Sequence, residues 1–339
     1  MKTILITGGA GFIGINAAHR FISSGWDVTV LDNLSRRGAK KNLEWLKSVH
    51  TFEFVNTDIR NAEKIDDLLR NSSPDVLLHL AGQVAVTSSV ENPRDDFDIN
   101  ARGTLNLLEA VRRFSTKTFF INASTNKVYG KMDDLKVNEL EKRYEYKSLN
   151  DGVNEDRALD FHSPYGCSKG VADQYCIDYS RIFGLRTVSF RQSCIYGPRQ
   201  FGVEDQGWVA WFIIANVLGK PITVYGDGKQ IRDVLYVDDL IQAYELAIQN
   251  KDRVNGHAFN IGGGQPNTLS LIEFITILEA HQGARLSVSW SDWRPGDQKV
   301  FVCDIRKARD IMGWQPVTSV KKGLATLIDW TQCNKALFL

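Results

Sequence analysis

Through the first half of the chain, short apolar runs alternate with amphipathic stretches, and this alternation constrains the fold more than any other feature. Thr3–Thr7, Asp27–Leu31, Phe52–Asn56, Val76–Leu80 and Thr118–Asn122 read as strands. The intervening stretches include Phe12–Ser24, Ala62–Asn71 and Ala101–Phe114, whose apolar residues recur at helical spacing. Strand-helix alternation calls for a parallel sheet with helices on both faces. The near-continuous run Val76-Leu-Leu-His-Leu80 suits a strand buried on both sides, where His79 reads as a hydrogen-bonded core histidine. Tyr165–Phe183 reads as a long helix and Thr187–Arg191 as a sixth strand. The rhythm then breaks. Loops at Gly226-Asp-Gly-Lys-Gln230 and Asn260-Ile-Gly-Gly-Gly264 separate helices near Asp238–Gln249 and Leu269–His281.

The first strand runs straight into Gly8-Gly-Ala-Gly11-Phe-Ile-Gly14 at the start of the first helix. Glycines there allow a tight turn and close approach of backbone to a pyrophosphate, and the helix N-terminus adds N–H groups and a favourable dipole. The spacing Gly-x-x-Gly-x-x-Gly is one residue wider at its first gap than the commonest dinucleotide fingerprint. Asp32 ends the second strand, where a carboxylate accepts hydrogen bonds from the adenosine ribose and repels a 2′-phosphate. NAD is therefore expected over NADP, although Arg36 lies in the loop beyond and an arginine can hold that phosphate. Asp58-Ile59 after the third strand and Leu80-Ala-Gly-Gln83 after the fourth stand at carboxyl ends of parallel strands, where such sheets bind ligands. The fold class expected is α/β: a Rossmann-type doubly wound parallel sheet with a smaller C-terminal substrate-binding domain. Residues 1–190 form the first domain, with a returning segment near 230–260, and residues 191–339 mainly the second.

Composition narrows the partners. With 339 residues, 43% of them hydrophobic, and a formal net charge of +1, the chain has ordinary globular composition and no basic surface for nucleic acid. The N-terminal apolar run is too short for a signal peptide, and Trp208–Gly219 too short to span a bilayer. Five cysteines without a Cys-x-x-Cys pair point to a reduced, cytoplasmic protein with no metal site.

Tyr165-Gly-Cys-Ser-Lys169 carries the chemistry. A tyrosine and lysine four residues apart share one helix face, and the lysine's charge is expected to lower the tyrosine pKa toward use as a general base. By itself this spacing is weak; some 150 residues beyond a dinucleotide loop it suggests hydride chemistry on an alcohol.

With Asn100-Ala-Arg-Gly103, Ser124-Thr125, Val128-Tyr129-Gly130, Arg191, Tyr196-Gly-Pro198, Arg232-Asp233 and Arg294-Pro-Gly-Asp297 added, the chain resembles the extended short-chain dehydrogenase/reductase family, and within it the nucleotide-sugar epimerases and dehydratases. The resemblance implies a catalytic Thr125 that hydrogen-bonds the substrate oxygen, Tyr165 as base, and Lys169 on the nicotinamide ribose. It assigns NAD contacts to Gly8, Gly11, Phe12, Ile13, Gly14, Asp32, Asn33, Ser35, Arg36, Asp58, Ile59, Leu80, Ala81, Gln83 and Asn100, besides Tyr165 and Lys169. Substrate contacts fall to Gln83, Asn126, Gln192, Gln206, Arg232 and Arg294. The two arginines would clamp a diphosphate, for which guanidinium is suited; alternatively they form salt bridges with Asp233 and Asp297. Trp208 would meet the base or sugar, or belong to the core. A homo-oligomer, dimer or tetramer, is also implied.

Asn126-Lys127 narrows the reaction. Sugar 4,6-dehydratases of this family carry Asp-Glu there, the acid and base of their elimination. An amide is no general acid near neutrality, and a lysine brings the opposite charge and an ordinary pKa. Epimerisation needs no such pair. Asp32-Asn-Leu-Ser-Arg36, His79-Leu-Ala-Gly-Gln-Val84, Ser124-Thr-Asn-Lys-Val-Tyr-Gly130 and Asp160-Phe-His-Ser-Pro-Tyr165 are most similar to 2-epimerases of CDP-linked dideoxyhexoses. Inversion at C4 of a UDP-hexose, inversion at C2 of CDP-glucose, and a sensor that keeps NAD without turnover stay open at this point.

Overall fold

The computed structural model describes residues 1–204, 206–293 and 297–339. Its centre is a seven-stranded, wholly parallel sheet. In chain order the strands are β1 (Thr3–Thr7), β2 (Asp27–Asp32), β3 (Glu53–Asn56), β4 (Val76–His79), β5 (Phe119–Thr125), β6 (Arg186–Gln192) and β7 (His257–Ile261), arranged β7-β6-β5-β4-β1-β2-β3. The order reverses at β1, and the crevice at such a reversal is where ligands bind. Helices α1 (Phe12–Ser23), α2 (Ala39–Val49), α3 (Ala62–Ser72), α4 (Gly103–Phe114), α5 (Ser163–Phe183) and α6 (Val237–Gln249) belong to this layered unit. Cores lie on both faces: Ile4, Ile6, Val30 and Leu78 pack with α1 and α6 residues, whereas Leu5, Leu31 and Leu77 pack with Leu107, Leu108 and Cys176 of α4 and α5.

His79 is buried in β4 as expected, with Nδ1 paired to Thr7 Oγ1 (2.7 Å) and Nε2 to Thr104 Oγ1 (2.9 Å). Burial pulls its pKa down to about 3, so the ring is neutral.

Three expectations shift. β5 continues past Asn122, because Ser124 and Thr125 still pair with Arg191 and Gln192 of β6. That extension carries Thr125 to the end of the sheet. The helix expected from Ala101 begins at Gly103, after a wider π turn over Asp98–Arg102. The helix expected from Leu269 begins at Leu271, since Thr268–Ser270 is a strand and Ser270 caps the helix reciprocally with Glu273.

After β6 the chain leaves to build a second lobe, around helices Trp208–Val217, Leu271–Gln282 and Val320–Cys333. Between the first two of these helices it re-enters the sheet as α6 and β7.

Candidate active site

A cleft of about 630 Å³ runs along the carboxyl ends of β1, β2, β4 and β5 and under the second lobe. At its β1 end, Gly8 has φ +68°, a conformation glycine adopts without strain. A Cβ on Gly14 would lie 2.2 Å from the Gly8 carbonyl oxygen, so only glycine lets α1 start this close to the turn. α1 has no capping side chain and no acid in its first turn, leaving N–H donors and the positive dipole end facing the cleft. That donor set fits a pyrophosphate.

Asp32 Oδ2 accepts from Ala10 N (3.1 Å) and Oδ1 from Leu34 N (2.7 Å), which fixes the carboxylate at the cleft wall; burial raises its pKa against those bonds. Asn33 Nδ2 donates to Asp58 Oδ2 (2.8 Å), and Ser35 N donates to Asn33 Oδ1 (3.0 Å). Asp58 is held at about 2 by its hydrogen bonds from Arg60, and stays ionised. Arg36 turns its charge toward both Asp32 and Tyr165. These groups fit an adenosine, with Asp32 as the acceptor for its ribose. Phe12, Ile13, Ile59, Leu80 and Ala81 complete this half of the wall.

Asn100 departs from expectation. It does not line the cleft; it accepts from Gln83 N (2.9 Å) and donates to Gln83 O (3.0 Å) and Ser168 Oγ (3.1 Å), bracing the loop after β4 against α5.

Thr125, Tyr165 and Lys169 meet on the cleft floor. Thr125 ends β5, accepts from Lys127 N (3.2 Å) and faces Tyr165, whose ionised form it favours. Tyr165 and Lys169 lie one turn apart on α5, with Tyr165 N donating to Ser89 Oγ (3.1 Å). The expected low tyrosine pKa is not what the fold produces. Burial pushes Tyr165 up to about 12, with Thr125 and the Arg36 charge opposing, while burial pulls Lys169 down to about 8. Lys169 Nζ donates instead to the Ala123 carbonyl (2.5 Å). Desolvation outweighs the attraction that helical spacing suggested.

In the half of the cleft beyond Thr125, Asn126, Gln192 and Gln206 line the wall, and Asn126 Oδ1 accepts from Thr125 Oγ1 (3.3 Å). Gln192 also donates to Tyr244 Oη (2.7 Å). Gln83 lines the cleft, but its amide is committed to the Ala85 backbone. Trp208 is both core and wall, packing edge-on against Phe274 (5.3 Å between centroids). Arg232 does not reach the wall. Its Nη1 donates to the Ile231 and Gln298 carbonyls (both 2.8 Å), and Nη2 lies 3.7 Å from Asp297 rather than pairing with Asp233. Arg294 lies outside the described residues.

Lys127 is the residue that sequence reasoning undervalued. It lines the cleft half-buried, and burial, helped by Arg232, brings its pKa down to about 8 against the pull of Asp297 and Cys194. The ordinary pKa expected of it is therefore corrected. Cys194, also in the wall, was missed altogether; nothing in Arg191-Gln-Ser-Cys-Ile195 marks it, and burial raises its thiol.

A glycine-rich turn, a buried acid after β2 and a Thr-Tyr-Lys cluster on one cleft define the short-chain dehydrogenase/reductase class, whose members move hydride and proton from one carbinol. The chain belongs to the family described as GDP-mannose 4,6 dehydratase, whose sequence profile matches residues 5–327. The CDP-paratose 2-epimerase of Salmonella typhi is 50% identical over 333 residues, spanning 97% of this chain and 98% of that protein. A protein described as a putative UDP-glucose 4-epimerase in Methanocaldococcus jannaschii is 33% identical, over 98% of this chain and 99% of its own. Among solved structures, the UDP-glucuronic acid 4-epimerase of Bacillus cereus, in complex with UDP-glucuronic acid and NAD, superposes with a TM-score of 0.84 at 29% identity, covering 98% of this chain and 99% of that one. The NAD complex of Thermus thermophilus UDP-glucose 4-epimerase gives 0.81 at 30%, covering 97% and 98%.

Proposed function

We propose that this enzyme inverts C2 of a CDP-linked dideoxyhexose, interconverting CDP-paratose and CDP-tyvelose through a transient 2-keto sugar. The observation that carries the reading is the pair Asn126-Lys127 beside Thr125, where an eliminating enzyme needs an acid and a base, within a chain half identical to a CDP-paratose 2-epimerase. Gly8–Gly14 and Asp32 would hold NAD, which when bound would supply a reversible hydride acceptor for C2. Thr125 hydrogen-bonds the C2 hydroxyl, and Tyr165 takes its proton and gives it back. Burial favours the phenol, so Tyr165 first gives its own proton to solvent and takes the C2 hydroxyl proton as phenolate; the phenol so formed is well suited to the returning, proton-donating half. Lys169 and Arg36 supply the positive charge that the outgoing half needs. Between the halves the keto sugar turns within the cleft to present its other face.

The test is purified enzyme with CDP-paratose deuterated at C2. Conversion to CDP-tyvelose with the label retained at C2 is expected, because the same hydride returns. Label lost to solvent, or no conversion with NAD bound, refutes the reading. Tyr165→Phe is expected to lose about 10²–10⁴-fold in turnover, the usual range for a general acid-base group, while keeping NAD; undiminished turnover would remove Tyr165 from the role.

The same reading makes the protein a cytoplasmic homo-oligomer. Tyr175, Ile182 and Phe183 leave apolar surface exposed on α5 for a second copy, and light scattering gives the mass directly.

A further inference from the structure

Five cations line the cleft among the described residues: Arg36, Arg37, Lys127, Lys169 and Arg199. Four are accounted for. Arg36 faces Tyr165 and Asp32, Arg37 follows β2, Lys169 is bound to the Ala123 carbonyl, and Arg199 lies 3.7 Å from the centre of the Trp45 ring. Lys127 remains. It sits two residues beyond Thr125, and its backbone N–H is hydrogen-bonded to the Thr125 hydroxyl (3.2 Å). Its ammonium makes no hydrogen bond and no ion pair within 4.0 Å among the described residues, although Asp297 and Cys194 attract it from farther off. Arg232, the residue that sequence reasoning placed on the diphosphate, has Nη1 bonded to two backbone carbonyls and Nη2 3.7 Å from Asp297. Among the described residues, the accessible positive charge of the substrate half is therefore close to the reacting carbon, not remote from it.

This placement matters because of sugar geometry. C2 is bonded directly to C1, which carries the nucleoside diphosphate, whereas C4 lies across the ring from C1. If C4 is brought to Tyr165 and Thr125, the diphosphate points away and its charge needs a cation farther along the cleft. If C2 is brought there, the sugar-proximal phosphate comes round beside the Thr125 end.

We propose that Lys127 binds the sugar-proximal phosphate of the substrate and thereby presents C2, rather than C4, to Tyr165. An ammonium on a half-buried stem suits a phosphate oxygen as a compact point charge. Asn126 beside it is neutral and adds no competing carboxylate. The inference deepens the C2 reading and rests on it.

The experiment uses NAD-loaded wild type, Lys127→Met and Lys127→Arg, with CDP and CMP as calorimetric probes. CDP carries the phosphate in question and CMP lacks it. Lys127→Met is expected to weaken CDP about tenfold, the order of one charge-assisted contact, and to leave CMP within about twofold. KM for CDP-paratose should rise by a similar factor with kcat changed much less, and Lys127→Arg should recover most of the CDP affinity. Unchanged CMP binding also shows that the variant is folded. Equal losses for CDP and CMP, or none for CDP, overturn the proposal. A wild type that inverts C2 while Lys127→Met leaves CDP affinity intact sinks this inference alone. A wild type that inverts C4 and not C2, yet loses CDP affinity on substitution, severs the phosphate contact from the choice of carbon and overturns it too.

Discussion

Replacing Lys169 by methionine in NAD-stripped protein should change stability in a way that reverses with pH. Lys169 is only 6% exposed, and burial lowers its pKa from 10.5 to about 8. A lowered amine is one whose charged form is less stable in the fold than in the unfolded chain. Below pH 8 both states hold the proton, so the penalty is complete and level. Between 8 and 10.5 the unfolded chain binds more protons and stability rises with pH; above 10.5 the penalty is gone. At about 1.4 kcal/mol per pH unit, the shift amounts to a penalty on the order of 3 kcal/mol at pH 7. Methionine removes it, but also removes the bond to the Ala123 carbonyl (2.5 Å). A buried carbonyl left without its donor costs about 1–2 kcal/mol. Lys169→Met should therefore be more stable than wild type by about 1–2 kcal/mol at pH 7, and less stable by about that much near pH 10.5, where only the lost hydrogen bond counts. Urea denaturation of both proteins across this range reads the difference, since every other titrating group is common to both. A variant already less stable at pH 7, or an offset that does not move with pH, would refute the reasoning.

Gly14→Ala places a Cβ 2.2 Å from the Gly8 oxygen and 2.6 Å from the Gly9 Cα, both backbone atoms that cannot swing aside. The variant should lose roughly 1–3 kcal/mol of stability and be purified without NAD, read from the ratio of absorbances at 260 and 280 nm. Full NAD content would show that the turn is not the pyrophosphate site. Asp173→Ala strands the Arg191 guanidinium, which is 5% exposed and bonded to Asp173 at 2.9 Å. A loss of about 3–5 kcal/mol is expected, measured by chemical denaturation; less than about 1 kcal/mol would mean that Arg191 finds another partner or water.

The strands of the sheet were legible because each is buried on both faces, which writes an apolar run into the sequence: Val76–His79 is buried at every position. α2 was harder to read. Ala39–Val49 buries only Ala39, Asn42, Leu43 and Leu46, with Trp45 packing partly against the core, and its other residues are mostly charged or polar. The wide turn at Asp98–Arg102 has no local signature, since its register is set by Asn100 reaching Gln83 and Ser168 from afar. At the site, motif order revealed Thr125, Tyr165 and Lys169, but not their ionisation. Spacing shows which side chains share a helix face; it does not show how much water the fold takes away from them. That omission reversed the expected shift of Tyr165 and hid the one at Lys127. Arg232 was misplaced for a related reason, because a guanidinium's first obligation is to nearby carbonyls such as Gln298 O, which lies far along the chain.

The late return of β7 to the sheet bears on how the protein is made. His257–Ile261 pairs with Val188–Gln192, so β6 has no neighbour on its outer side until the intervening part of the second lobe has been synthesised. On a ribosome that adds residues one at a time, the nascent sheet therefore waits for many seconds with a long, apolar strand edge open to other chains. Thr187-Val-Ser-Phe190 is buried at every position once β7 arrives. Yield in a cell should thus depend on chaperone capture of chains shorter than about this length, and truncations ending after Gln192 but before Ile261 should aggregate even though every residue of the glycine-rich turn and the Thr-Tyr-Lys cluster is already present in them.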